Sequence, residues 1–284
     1  MTKKIFTLLY FFIISSLDYV LIAQHEKATA IILKENTQYN VGMLNHYKVI
    51  YSVKLKILKK EAEDDFFFGT SYDANRKILS MQAVIKDTTE KVIRTINQNA
   101  FVDKKYISST FHDDIRYKYA EIHHTSYPYI VDFYYEVLDS GPWLNQTIYA
   151  QSSLDFFVTE SQINVTALHD KHLRFQEVNQ IWHKKPDFVK NGNTYLWTYK
   201  NIPPVDADRN FLPARNAYLP QIKILPNKVF DGEKSYSISS WDELGNFYAN
   251  LNVNRRKLPE EATAKIAAIC AGKDTDEKIK ILYK

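Results

Sequence analysis

The stretch Tyr47-Lys-Val-Ile-Tyr-Ser-Val-Lys-Leu-Lys-Ile57 decides the fold class. Tyr47, Val49, Tyr51, Val53, Leu55 and Ile57 alternate with Lys48, Ile50, Ser52, Lys54 and Lys56. Successive side chains of a strand point to opposite faces, so this period of two places one face on a core and the other in water. The same alternation recurs downstream. Ile78 to Lys86 and Lys91 to Ile96 flank the polar connector Asp87-Thr-Thr-Glu90, which predicts a hairpin. Ile115, Tyr117 and Tyr119 alternate, as do Tyr129, Val131, Phe133, Tyr135 and Val137, a run closed by the turn residues Asp139-Ser-Gly-Pro142. Trp143 to Ala150 and Thr159 to Leu168 are further strand candidates. Asn191-Gly192, between Asp187 to Lys190 and the alternating Tyr195, Trp197 and Tyr199, is the strongest short hairpin signal. Pro203, Pro204, Pro213, Pro220 and Pro226 predict an irregular passage over a surface. Eight to ten such strands imply a mainly β protein, an antiparallel sandwich of two sheets.

Composition agrees. Of 284 residues, 45% are hydrophobic and 25% charged, and Tyr (20) and Phe (16) are numerous while Gly (7) is scarce. Tyr and Phe favour strands and bury much area. The net charge is +4. Lys54, Lys56, Lys59 and Lys60 are followed at once by Glu61, Glu63, Asp64 and Asp65, so the basic groups are locally cancelled and nucleic acid is not an expected partner.

At the amino end, Lys3 and Lys4 precede the apolar run Ile5 to Ile14, and Ala23 precedes polar Gln24. That order is a signal peptide with cleavage after Ala23, and Asp18 interrupts any full membrane span. The expected location is periplasmic or secreted, with no membrane span once 1–23 are removed. Near the carboxyl end the period changes. Ser240 and Glu243 have capping-box spacing, and Trp241, Leu244, Phe247, Tyr248 and Leu251 follow at helical intervals. A second helix is predicted from Pro259 to Cys270 with Gly272 as its stop, and a third from Asp274 carrying Ile279, Leu282 and Tyr283.

Candidate chemistry is sparse. Cys270 is the sole cysteine, which excludes an intrachain disulfide, and its neighbours Ile266, Ala267, Ala268, Ile269 and Ala271 describe a buried apolar helix face rather than an activated thiol. His112, Asp113, Asp114, His123 and His124 lie close in sequence, but His123 and His124 are adjacent and would face opposite ways on a strand, and His169 and His172 likewise differ in facing. The pairs Asp64 with Asp65 and Asp206 with Asp208 read as solvated loop carboxylates. Asn145-Gln-Thr147 and Asn164-Val-Thr166 match the glycosylation pattern by coincidence, and Tyr195, Trp197 and Tyr199 read as core, the alternative being a stacking platform for sugar or peptide. No phosphate loop, nucleophile elbow or zincin helix is present. No catalytic, cofactor-binding or metal-ligating residue is therefore assigned, and no cofactor is expected.

Tyr127-Pro-Tyr-Ile-Val-Asp-Phe-Tyr-Tyr-Glu-Val137, Ile148-Tyr-Ala-Gln151, Tyr195-Leu-Trp-Thr-Tyr-Lys-Asn-Ile-Pro203 and Ser239-Ser-Trp-Asp-Glu-Leu-Gly-Asn-Phe-Tyr248 resemble an uncharacterised domain found before transglutaminase-like, papain-like cores in exported Gram-negative proteins. The resemblance covers roughly 40–255 and implies an immunoglobulin-like sandwich. It divides the chain into a signal peptide (1–23), a sandwich domain with its closing helix (24–258) and the helical start of an absent, truncated core (259–284). In fuller relatives that core carries a Cys, His and Asp triad. Cys270 lies before the place where the nucleophile would fall and the last histidine is His183, so no catalytic residue carries over. The resemblance implies a non-catalytic accessory, binding or scaffolding domain for a periplasmic or surface peptide, glycan or protein. The alternative is the amino-terminal part of a cysteine amidase, peptidase or transglutaminase whose core is lost or separately encoded.

Overall fold

The computed structural model describes residues 27–42, 46–105, 114–141, 145–168, 172–179, 185–205, 217–231, 234–253, 255 and 257–283. The expected signal peptide, His112, Asp113, His169, Asp206 and Asp208 lie outside them. The chain divides into two compact units, Met1–Lys234 and Ser235–Lys284.

The first unit is almost entirely β. Its strands are β1 (Ala30–Val41), β2 (Tyr47–Ile57), β3 (Gly69–Tyr72), β4 (Arg76–Lys86), β5 (Val92–Asn97), β6 (Val102–Lys105), β7 (Arg116–Tyr119), β8 (Tyr129–Asp139), β9 (Gln146–Tyr149), β10 (Phe156–Ala167), β11 (Leu173–Val178), β12 (Asp187–Asn191), β13 (Thr194–Ile202), β14 (Gln221–Pro226) and β15 (Lys228–Asp231). One short helix, α1 (Ala62–Asp65), follows β2. Eight strands form the principal sheet in the order β12-β13-β10-β1-β2-β8-β4-β5, and two three-stranded sheets have the orders β11-β14-β9 and β3-β7-β6.

The decisive stretch behaves as read. Tyr47, Val49, Val53, Leu55 and Ile57 are buried while the lysines between them are not. Residues of β1, β8, β10 and β13 repeat the pattern in register, so the inner face of the principal sheet is a continuous apolar surface. Phe133 of β8 meets Phe68 and Phe101, and Trp197 of β13 meets Phe175 of β11, so the small sheets cover that inner face. A single cluster of buried side chains runs through all three sheets. Burial of this kind, ~1.5–3 kcal/mol for each large apolar side chain, is what holds a chain without disulfides together.

Two expectations about architecture are corrected. The sheet is not wholly antiparallel, because β1 runs parallel to β10 from Ala30 opposite Phe156 to Val41 opposite Ala167. The immunoglobulin-like pair of sheets gives way to one wide sheet with two small sheets on its inner face, since β10 returns to the free edge of β1 rather than starting a second large sheet. The proline passage is also not wholly irregular. Gln221–Pro226 is the central strand of its small sheet, with Ile222 and Ile224 fully buried. Its prolines sit just before and at the end of the strand, where no ladder hydrogen bond is lost.

Turn chemistry is local and legible. In the β4–β5 hairpin, the Asp87 carboxylate accepts from Thr89 N (2.8 Å), Thr89 Oγ1 (2.6 Å) and Lys91 N (3.0 Å). The β12–β13 turn falls on Gly192-Asn193, with Gly192 at φ 58 as a II′ turn requires. Gly69 is needed for another reason. A Cβ there would lie 2.6 Å from both the Lys118 carbonyl and Tyr119 Cβ, so only glycine lets β3 and β7 approach.

Strand β16 (Lys234–Ser237) starts at the last residue of the first unit, and the second unit holds the rest of it with α2 (Trp241–Asn252), α3 (Glu260–Cys270) and α4 (Thr275–Leu282). The capping box at α2 is formed in both directions, Glu243 N to Ser240 Oγ (3.2 Å) and Ser240 N to Glu243 Oε2 (3.2 Å). Asp274 caps α4 through Glu277 N (2.8 Å). Neither α3 nor α4 has a buried residue. Cys270 is therefore half-exposed rather than buried, because its helix has no apolar layer over it. No helix among the described residues is long and apolar enough to cross a membrane.

Candidate functional site

Glu63 is the best-connected ionisable side chain of the β unit. It sits in α1, and its carboxylate is 2% exposed. Burying a carboxylate is costly unless its lone pairs are satisfied. The loop 120–128, between β7 and β8, and the first residue of β8 supply the donors. Oε1 accepts from Tyr129 Oη (2.7 Å), Tyr127 Oη (2.8 Å) and the His124 amide (3.1 Å), and Oε2 faces His123 Nδ1 at 2.8 Å. Burial alone would raise this carboxyl, but hydrogen bonds led by the His123 imidazole outweigh it and hold the pKa at about 2. Burial and the bond to Glu63 push the Tyr127 phenol up to about 12.

Because Glu63 can only accept, the His123 Nδ1 that faces it carries a proton, and in the neutral imidazole Nε2 is then the acceptor. His123 is 65% exposed, and with Lys60, His124, Thr125 and Tyr127 it lines an open cavity of about 690 Å³. This corrects the view that His123 and His124 must face apart. Their segment is not a strand, so both rings reach one cavity. A carboxylate that fixes an imidazole tautomer suits both ligand binding and proton transfer, but the cavity's hydroxyls are Thr125 and Tyr127, and Tyr127 already donates to Glu63. Among the described residues no group of three His, Cys, Asp or Glu is placed to hold a metal. Sequence reading noted His123 and passed Glu63 over as part of a charged run; the pairing of α1 with a loop 60 residues later has no local signature.

The remaining candidates are dispersed. Asp64, Asp65 and Asp114 are exposed, as are Asn145, just before β9, and Thr147 within it. Asn164 and Thr166 lie within β10, where Thr166 bonds Thr194. The His172 ring lies tilted against Phe230, with ring centroids 6.1 Å apart. Lys54 is ion-paired with Glu90. Tyr195, Trp197 and Tyr199 are buried, and Trp197 Nε1 donates to Glu177 (2.9 Å), so the stripe is core as expected. A second buried carboxylate, Glu35, was not anticipated. Burial raises its pKa, against hydrogen bonds from Tyr51 (2.6 Å) and Ser161 (3.0 Å) that cross between three strands of the sheet.

A comparison with curated proteins found no match. Among solved structures, the chain resembles a candidate protease from Parabacteroides distasonis with a TM-score of 0.61 and 13% identity, over 90% of this chain and 49% of that one. It therefore spans about half the length of that protein. Lower-scoring likenesses include the yeast leukotriene A4 hydrolase bound to bestatin (TM-score 0.34, 9% identity, 69% of this chain and 28% of that one) and an M1 zinc metallopeptidase from Deinococcus radiodurans (0.30, 9%, 86% and 53%). At these identities the first shows a shared fold, and the other two carry no argument. Residues 45–206 match the model of a domain of unknown function with a solved structure, DUF3857; more than half of the chain lies in that match, and the chain belongs to this family.

Proposed function

We propose that this chain is an exported, non-catalytic accessory domain that binds or scaffolds a periplasmic or surface partner. The observation that carries the reading is the saturation of Glu63. The carboxylate of the most catalytic-looking cluster is occupied by four donors from the protein itself, so it acts as a clamp that ties α1 to the 120–128 loop. Hydrolytic use of His123 requires a nucleophile or a positioned water within hydrogen-bond reach of Nε2, and of the cavity's two hydroxyls the Tyr127 phenol is already bound to Glu63. Cys270 is half-exposed on α3, a helix with no buried residue. The test is turnover of a peptide-amide library by the purified chain, with Cys270→Ser as control. Absence of turnover supports the reading, and turnover abolished by Cys270→Ser overturns it. For export, the chain recovered from the producing cell is expected to begin near Gln24.

A second reading has its own support. The chain matches half of a larger candidate protease, and α3 and α4 expose Ile269, Ile279, Leu282 and Tyr283. Exposed apolar stripes mark association surfaces. On this reading the chain is one part of a cysteine amidase, peptidase or transglutaminase and joins a transglutaminase-like core. A gene product that continues into, or co-purifies with, such a core would favour it.

A further inference from the structure

The outer face of the principal sheet has an unusual chemistry. Registers place Thr198, Gln162, Asn36, Ser52, Tyr134 and Gln82 side by side on six consecutive strands, from β13 to β4. Residues in direct register share a face, so these side chains form one row across the sheet. The next row continues it with Asn164 beside Gln38, and Asn40 lies beside Thr166 beyond. Asn is depleted in strands and Gln has no preference for them, so a surface built from their amides is not what strand propensity would choose.

Two further observations point to a ligand. Asn36, Ser52, Gln162 and Thr198 have no side-chain hydrogen-bond partner among the described residues, and all four are partly exposed. Asn164 Oδ1 is buried without a partner in the adjoining row. At the Tyr134 end the row opens into a depression of about 250 Å³, bordered by Ser52, Gln82, Lys54 and Asp132, with the half-exposed phenol ring as its wall. That volume is below the ~300–1,000 Å³ of a drug-like pocket and suits a single sugar ring at an aromatic wall.

Charge decides the class of ligand. Four cations around the row are answered by anions, Lys48 by Glu136 (2.7 Å), Lys86 by Asp132, Lys34 by Glu160 (3.7 Å) and Lys54 by Glu90, while Lys56 and Lys200 at its margins have no ion-pair partner among the described residues. A face on which most cations are neutralised exerts little pull on nucleic acid or an acidic polymer. Its middle is amide and hydroxyl rather than the aromatic or arginine anchors of a protein interface. Strands stand ~4.8 Å apart, a spacing comparable with the repeat of an extended chain of linked hexoses, so successive strands would address successive sugar units.

We infer that the outer face of strands β13, β10, β1, β2 and β8 binds a neutral polysaccharide, with Gln162, Asn36 and Ser52 hydrogen-bonding its hydroxyls and Tyr134 stacking against one ring. This rests on the proposed binding role and names the ligand class. The assay is affinity electrophoresis of the full chain in gels containing laminarin, xyloglucan or amylose, with polygalacturonate and casein as acidic and polypeptide controls. Retardation by a neutral polysaccharide is expected, insensitive to salt. It should weaken about tenfold in Asn36→Ala with Gln162→Ala together and in Tyr134→Ala, at unchanged urea midpoints. Retardation that these variants leave untouched, retardation by polygalacturonate or casein alone, or none at all overturns the inference. The amide-turnover assay reads the non-catalytic role separately, so a failure here leaves that role standing.

Discussion

Replacing Glu63 with Gln isolates the contribution of one buried charge to the stability of the β unit. The carboxyl titrates near 2 instead of 4.5. At about 1.4 kcal/mol for each tenfold change in proton affinity, that gap corresponds to ~3 kcal/mol favouring the folded state. A lowered carboxyl pKa gives stability that is complete above the ordinary value and lost as pH falls towards the folded value. Wild-type protein should therefore exceed Glu63→Gln by ~3 kcal/mol at pH 7, and the difference should shrink steadily between about pH 5 and pH 2. The glutamine keeps the shape and one carbonyl acceptor but turns an amide towards the His123 side, so it tests charge rather than volume. Urea unfolding followed by the fluorescence of buried Trp197 gives both curves. Equal midpoints at pH 7, or a difference that stays constant down to pH 2, would refute the clamp.

Other consequences are simpler to state. Trp197→Ala should cost ~3–5 kcal/mol, because the ring is 1% exposed and packs on Phe175, Phe188 and Tyr195; an unchanged denaturant midpoint would contradict that packing. Gly69→Ala should destabilise by ~1–3 kcal/mol, since its methyl would fall 2.6 Å from the β7 backbone, and calorimetry reads this directly. Hydrogen exchange should be slow in β2 and fast in α3 and α4, where no side chain is buried; equal protection in both would show that the helices are stabilised by more than their own caps.

Legibility in the sequence followed locality. The β2 alternation, the Asp87 turn and the Ser240–Glu243 cap depend on residues within a few positions of one another and appear where the pattern puts them, while the turn expected on Asn191-Gly192 lies one residue later, on Gly192-Asn193. β1 went unread although Asn36, Gln38 and Asn40 alternate with Thr37, Tyr39 and Val41, because its outward residues are amides rather than charges and its inward set includes a glutamate. β14 was hidden by its flanking prolines. Pairing partners have no sequence period at all, so neither the parallel β1–β10 contact nor the meeting of Glu63 with His123 was available from spacing. The same limit applies to the outer amide row, which exists only once the register of six strands is known.

The parallel pair at the centre of the sheet sets the order in which the molecule can be completed. β1 leaves the ribosome early, yet Glu35 waits for Ser161, 126 residues further on. At ~5–20 residues per second, one edge of the β1–β2 hairpin stays open for roughly 6–25 s of synthesis. An unpaired edge is a template for aggregation, and it is also a chain that has not yet locked, the state a translocation pore or a holding chaperone accepts. The family match starts at residue 45, after β1, so a segment cut at 45–206 would lose the strand that joins β10 to β2. Such a piece would fall into two half-sheets with their central edges bare, whereas one that begins at or before Ala30 keeps the seam closed.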